Sequence, residues 1–92
     1  MMDFEFGQLI IRKALQELGL HHDEQMHCEE DGMEYFVGSV GASMYLPKGN
    51  DKPVFIDFSE KTPPGMAAEF AMRFSRILEK SGIEVIAELH LP

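Results

Sequence analysis

The sequence is poor in the residues on which covalent cross-links and metal clusters depend. Cys28 is its only cysteine, so an intrachain disulfide and a four-cysteine metal site are both excluded. The chain also has no apolar run near the roughly 20 residues that a membrane-spanning helix requires. Its first residues, MMDFEFGQ, lack the basic start and the apolar core of a signal peptide. These absences predict a cytoplasmic protein.

Basic residues are missing from one third of the chain. Between residues 14 and 46 there are seven acidic residues and no lysine or arginine. The other nine acidic residues and all eight basic residues lie elsewhere and nearly cancel, so this segment holds most of the net charge of −8. Dense like charges produce a local negative potential. We therefore expect no direct contact of this segment with a phosphate backbone, and the expected partner is a basic protein surface.

Catalytic and phosphate-binding motifs are absent from the sequence. It contains no G-x-S-x-G and no phosphate loop, and Gly38 and Gly41 lack the strand-to-helix context that glycine-rich loops require. Cys28 is followed by carboxylates, which disfavour the reactive thiolate. We therefore expect neither enzymatic activity nor a bound cofactor.

The composition and length of the sequence predict one folded domain, residues 1–92. The hydrophobic fraction of 45% is typical of a globular protein, and a chain this short holds a single core. A first helix is predicted from Phe4 or Gly7 to about Leu18, because Phe4, Ile11 and Leu15 fall on one stripe at 100° per residue. Asp3 is the predicted N-cap.

Three strands are predicted after this helix. Asp31-Gly32 separates QMHCEE from MEYFVGS, which is a strong signal for a two-residue hairpin turn. The segment VGASMYLP is predicted to continue the second strand, with Gly38 and Gly41 producing a bend. PVFIDF is the third strand.

A second helix, Pro64 to Lys80, and a last strand, IEVIAELHL, complete the predicted order α-β-β-β-α-β. Apolar and polar residues alternate along the strands, and each helix has one apolar stripe. This pattern predicts an α+β fold, with two helices packed on one face of a mostly antiparallel four-stranded sheet. The other face of the sheet is then left partly apolar, and it is a candidate interaction surface. We expect that face to carry the following residues or their neighbours: Tyr35, Tyr45, Phe55, Asp57 and Ile86.

The stretch HHDEQMHCEEDG has two interpretations. His22 and His27 have the spacing of zinc ligands, and Glu29 lies on the same side of a strand as His27, so a weak surface metal site is one possibility. The prediction we adopt is a charged hairpin without a metal ion. His27 and Cys28 are neighbours in a strand, so they point to opposite faces and cannot easily bind one ion together.

The second helix carries a basic stripe, Arg73, Arg76 and Lys80. Such a row can follow a phosphate backbone, but three charges give only weak binding of nucleic acid. Glu69 lies four residues before Arg73, which predicts an ion pair on an ordinary solvated helix face.

In its size, its acidic segment 23–34 and its predicted αβββαβ order, the chain resembles the small phage-encoded anti-CRISPR proteins. The resemblance implies an inhibitor that blocks a nucleic-acid-binding surface of a CRISPR surveillance complex in the host cytoplasm. These proteins share no common motif, so no functional residue is carried over. From charge alone we hypothesise that six carboxylates contact the partner: Asp23, Glu24, Glu29, Glu30, Asp31 and Glu34.

An alternative resemblance is to the small acidic chaperones of type III secretion. ALQELGL, followed by an acidic stretch, DG and three strands, resembles the first half of those proteins, which bind unfolded effector segments as dimers. The chain lacks their final strand and helix, which puts the dimerisation element in doubt. Monomer and homodimer are both compatible with the sequence.

Overall fold

The computed structural model of the chain describes residues 3–27, 32–49 and 53–88. Its elements follow in the order α1 (Phe4–Glu17), β1 (Asp23–His27), β2 (Gly32–Val37), β3 (Ala42–Leu46), β4 (Val54–Phe58), α2 (Pro64–Lys80) and β5 (Val85–Glu88). The strands form one sheet in sequence order; β1 to β4 are antiparallel, and β5 runs parallel to β4. The predicted α+β class with a mostly antiparallel sheet is confirmed. The predicted number of strands is wrong, because the described residues form five.

The additional strand arises where one bent strand was predicted. Residues Gly38–Val40 form a short 3₁₀ turn that ends at Gly41 with a φ of 61°. This left-handed conformation favours glycine, and it reverses the chain instead of bending it. β2 and β3 consequently pair as an antiparallel hairpin, with Tyr35 opposite Met44 and Val37 opposite Ala42.

The hairpin between β1 and β2 differs from the predicted two-residue turn. His27 pairs with Gly32, so Gly32 belongs to β2 and is not a central turn residue. The connection, residues 28–31, lies outside the described residues. Gly32 has a packing role instead, because a Cβ atom at this position would collide with the ring of Tyr45. That aromatic ring therefore covers the backbone of the neighbouring strand.

Both helices begin and end close to the predicted residues. The Asp3 side chain accepts a hydrogen bond of 2.7 Å from the backbone N–H of Phe6, which confirms it as the N-cap of α1. Pro64 starts α2, since proline at the first helical position loses no helical hydrogen bond. The predicted ion pair is present, with Arg73 Nη2 at 2.8 Å from Glu69 Oε1.

The core lies between the two helices and one face of the sheet. Inward-facing residues of the strands alternate with outward ones, so β3 buries Ala42, Met44 and Leu46, and β4 buries Val54, Ile56 and Phe58. The helices contribute further large buried side chains: Ile11, Leu15, Phe70, Phe74 and Leu78. The rings of Phe70 and Phe74 stack with their centroids 5.5 Å apart. Met66, in the first turn of α2, is 45% exposed.

Tyr35 was expected on the outer face of the sheet together with Tyr45, and this prediction is wrong for Tyr35. Tyr35 is fully buried on the helix side, whereas Tyr45 faces outward opposite Glu34. The hairpin register decides this, because residues directly opposite in a sheet share one face, and Tyr35 lies opposite the buried Met44.

The parallel pairing of β4 with β5 is made possible by α2, which connects them across the covered face of the sheet. The registered pairs run from Val54 with Val85 to Asp57 with Glu88. Within the described ranges, neither helix is long and apolar enough to span a membrane.

Candidate protein-binding face

The predicted contact carboxylates do not all lie on one surface. In β1, Asp23 lies opposite Phe36 and Glu24 lies opposite Tyr35. Because neighbouring strand residues point to opposite faces, Glu24 is on the helix side with the buried Tyr35. Asp23 is on the outer side, where Glu34 of β2 also lies. Glu29, Glu30 and Asp31 lie outside the described residues, so their hypothesised contact stays a prediction.

Glu24 forms an ion pair within the protein. Its two carboxylate oxygens accept hydrogen bonds from Arg12 of α1, with Nη2 at 2.7 Å from Oε1 and Nε at 2.8 Å from Oε2. The Nε2 atom of His22 lies 2.8 Å from Oε2 of the same carboxylate. This geometry is bidentate, which is the strongest form of an arginine–carboxylate pair. Glu24 therefore ties α1 to β1.

The electrostatics of this cluster agree with its geometry. The hydrogen bonds from Arg12 lower the pKa of Glu24 to about 2; the bond with His22 acts in the same direction, and partial burial opposes both. The pKa of Arg12 is raised in turn, chiefly by its hydrogen bonds to Glu24. The charge of Glu24 is thus compensated by a cation of the same chain, and we assign Glu24 a structural role.

Tyr35 lies directly beneath this cluster. Its ring centroid is 5.8 Å from that of His22, and its buried hydroxyl makes no hydrogen bond to any described residue. Burial is the main reason that the pKa of Tyr35 is raised well above its usual range, with a further contribution from the negative charge of Glu24. The hydroxyl therefore stays protonated at physiological pH.

The alternative metal site gains no support from the described residues. Over residues 3–27, 32–49 and 53–88, no group of three histidine, cysteine, aspartate or glutamate side chains is arranged to hold a metal ion. His22 is engaged with Glu24. Glu29, the third proposed ligand, lies outside the described residues.

The outer face of the sheet, which we call the open face, carries a row of large side chains. The register places Tyr45 beside Phe55 and Phe55 beside Ile86, so these residues cross β3, β4 and β5 in one line. Phe55 and Ile86 are each 44% exposed. Such an exposed contiguous apolar row is typical of a contact surface.

Carboxylates flank this row. Glu34 lies next to Tyr45 in the register, and Asp57 lies next to Glu88. Together with Ser43 and the apolar row they line a shallow depression of about 230 Å³. With Asp23 the open face has four acidic residues, and no outward-facing position of β1 to β5 is a lysine or an arginine.

Asp57 and Glu88 are functional candidates that the charge-based prediction missed. It followed the density of acids along the sequence, and these two residues lie outside the acidic segment. Strand alternation had already placed Asp57 on the outer face, and it identifies Glu88 in the same way, because each follows a residue of the apolar row by two positions.

The predicted basic stripe lies on α2, which covers the opposite face of the sheet. Arg73, Arg76 and Lys80 are all exposed, and Arg73 is paired with Glu69. The stripe and the open face therefore belong to opposite sides of the protein.

No protein-family model, curated protein or solved structure matches the chain.

Proposed function

We propose that the chain is a non-enzymatic protein-binding domain whose open face binds a basic surface of another protein. The observation that carries the proposal is the composition of that face, in which an apolar row is flanked by four carboxylates and no lysine or arginine occupies an outward strand position. The apolar row supplies contact area, and the carboxylates supply the preference for a positively charged partner.

The sign of the charge narrows the choice of partner. A phosphate backbone would be repelled by the open face, and a second copy of the chain would bring like charges together. Lysine and arginine on a partner would instead accelerate association at low ionic strength. A surface that normally holds nucleic acid has this chemistry, so the domain would compete with nucleic acid for it.

Two of the six hypothesised contact residues, Asp23 and Glu34, lie on the open face and stay in the proposal. Asp57 and Glu88 join them because they border the apolar row. Glu24 leaves the proposed contact, since Arg12 already compensates its charge.

A CRISPR surveillance complex is the specific partner that the family resemblance suggests, and inhibition of its binding to target nucleic acid is the corresponding activity. This finer proposal rests on size, acidity and element order. The described residues contain one strand more than the order on which that resemblance was based, so the general proposal of a basic protein partner is the stronger one.

The test compares two variants with the same change in charge. D23K/E34K reverses two carboxylates of the open face, and E17K/E79K reverses two exposed carboxylates on the helices. Tagged wild-type and variant proteins are used to capture partners from host lysate at low and at high salt, followed by mass spectrometry.

We expect a partner that the wild type and E17K/E79K retain at low salt and that D23K/E34K loses. With the purified partner, the open-face variant should bind about tenfold more weakly at low salt, and the difference should shrink at high salt because of screening. The wild type should also displace nucleic acid from that partner. Equal binding by the two variants at low salt would refute the proposal.

A second candidate is a dimeric chaperone of the type III secretion kind. The exposed apolar row favours it, because a second copy could cover Phe55 and Ile86. Size-exclusion chromatography with light scattering separates the candidates: a tight homodimer supports the chaperone, and a monomer supports the inhibitor.

A further inference from the structure

The outer edge of β5 is available for strand pairing. On one side β5 pairs with β4, and no other strand of the described residues pairs with its second side. Ile86, Ala87 and Glu88 are exposed. An edge strand presents a row of N–H and C=O groups to which another chain can pair.

The backbone groups that face this edge can be assigned. The N–H of Val54 donates to the carbonyl oxygen of Glu84 at 2.9 Å, so the backbone groups of Glu84 point to β4. Backbone groups alternate in direction along a strand, as side chains do. Those of Ile86 therefore also point to β4, and those of Val85 and Ala87 point to the outer edge.

The two edges of the sheet differ in chemistry. In β1, whose sequence is DEQMH, the carboxylate of Glu24 is already paired with Arg12, whereas β5 reads VIAE and contains no proline, lysine or other basic residue. Prolines and lysines on an edge strand usually prevent strand addition, and β5 has neither. Of the two edges, β5 is therefore the better site for an added strand of basic residues.

The charges next to β5 identify what kind of strand fits. Antiparallel pairing of β5 with a second copy, centred on Ile86, would place Glu84 opposite Glu88 twice. Like charges directly opposite each other destabilise a sheet. Lysine or arginine at those positions would pair favourably instead, and apolar residues would then fall beside Val85 and Ala87 on the other face of the strand.

We propose that the partner adds a strand of alternating basic and apolar residues to the sheet alongside β5. This inference rests on the proposed function, because it specifies how a basic partner reaches the open face. The backbone of Val85 and Ala87 provides the hydrogen bonds, and Glu84 and Glu88 select the basic side chains.

The first test uses synthetic peptides and amide hydrogen exchange measured by NMR. The probe is a blocked KVKVKVK peptide, and the control is EVEVEVE. At saturation the basic peptide should slow exchange of the Val85 and Ala87 amides about tenfold, without a comparable change at Ile86, whose N–H already faces β4. Unchanged protection of both amides, or equal protection by the acidic peptide, would overturn the proposal.

The second test uses A87P with A87V as its matched control. Proline at residue 87 removes an N–H that faces the outer edge, so no hydrogen bond to β4 is lost. A87V keeps that N–H. A87P should weaken binding of the basic peptide about five- to tenfold, as expected for one lost hydrogen bond, and A87V should bind like the wild type. Circular dichroism establishes that both variants are folded; if A87P is not, the exchange measurement on the wild type decides.

The two proposals can fail separately when A87P and D23K/E34K are compared on the same captured partner. If D23K/E34K loses the partner and A87P does not, the open-face proposal is retained and the proposed strand addition is rejected. If only A87P loses the partner, strand addition at β5 is retained and the proposed role of the open-face carboxylates is rejected. A wild-type homodimer that A87P converts to a monomer would show that a second copy occupies the edge, which would overturn the inference.

Discussion

Replacing Glu24 by glutamine tests whether the link between α1 and β1 contributes to stability. The substitution keeps the size of the side chain but removes the charge that Arg12 and His22 contact. Glutamine cannot accept two charge-assisted hydrogen bonds from a guanidinium, so the bidentate pair is lost. We expect E24Q to be less stable than the wild type at neutral pH.

The structure sets the size of the effect. The pKa of Glu24 falls from an ordinary 4.5 to about 2, and each pH unit by which a pKa moves corresponds to about 1.4 kcal/mol, which gives an upper value of about 3.5 kcal/mol. The side chains of Arg12 and Glu24 are 48% and 24% exposed, so solvent screens the pair. After this reduction we expect about 1–2 kcal/mol in the free energy of unfolding.

The pH dependence has a definite sign. A carboxyl group with a lowered pKa in the folded state stabilises the protein above its unfolded pKa, and this stabilisation is lost as pH falls toward the folded value. The difference between wild type and E24Q should therefore be constant from neutral pH down to about 5. It should shrink between pH 4.5 and about 2.

Urea unfolding followed by circular dichroism at several pH values measures this difference. The control is E17Q, which replaces an exposed carboxylate on the same helix and should change the unfolding free energy by less than about 0.5 kcal/mol. The reasoning would be refuted if wild type and E24Q had the same free energy of unfolding at pH 7. It would also be refuted if their difference were the same at pH 7 and at pH 2.5.

Two further substitutions test the fold itself. Gly41→Ala should cost about 1–3 kcal/mol in urea unfolding, because residue 41 has a φ of 61° and an added Cβ would meet the Thr62 hydroxyl; Gly38→Ala, whose Cβ meets nothing within 4 Å, is the control, and equal losses would contradict the assigned turn. Phe74→Ala should cost about 3–5 kcal/mol because Phe74 is fully buried, whereas Phe55→Ala, at a side chain that is 44% exposed, should cost less than about 1 kcal/mol in thermal unfolding.

The helices could be predicted from sequence because each has several independent signals. Pro64 marks the start of α2, an apolar stripe defines its buried face, and Lys80 precedes the turn at residues 81 and 82. For α1 the N-cap Asp3 and the stripe through Ile11 and Leu15 act in the same way. These signals are local, so they do not depend on the rest of the fold.

The number of strands could not be predicted with the same security. Gly38 and Gly41 are compatible with a bend and with a reversal, and the choice between them depends on whether β2 and β3 gain more by pairing. Tyr35 was misplaced for this reason, because the pairing register, with Met44 opposite, determines the face to which it points.

The face to which each side chain of β1 points could not be predicted from the sequence either. Its sequence, DEQMH, has too few apolar residues to indicate which side is buried, so the density of charge suggested one continuous acidic surface. In the structure, strand alternation places Asp23 and Glu24 on opposite faces of the sheet, and Glu24 pairs with Arg12 of α1. Only the tertiary position of α1 supplies that information.

The pairing of β4 with β5 also has a consequence for biosynthesis. Val54 pairs with Val85, so the ribosome must synthesise all of α2 before this contact can form. Such sequence-distant contacts form slowly compared with the neighbouring hairpins. Until then the nascent chain displays an unpaired β4 edge next to Phe55, which is the kind of surface that molecular chaperones protect during translation.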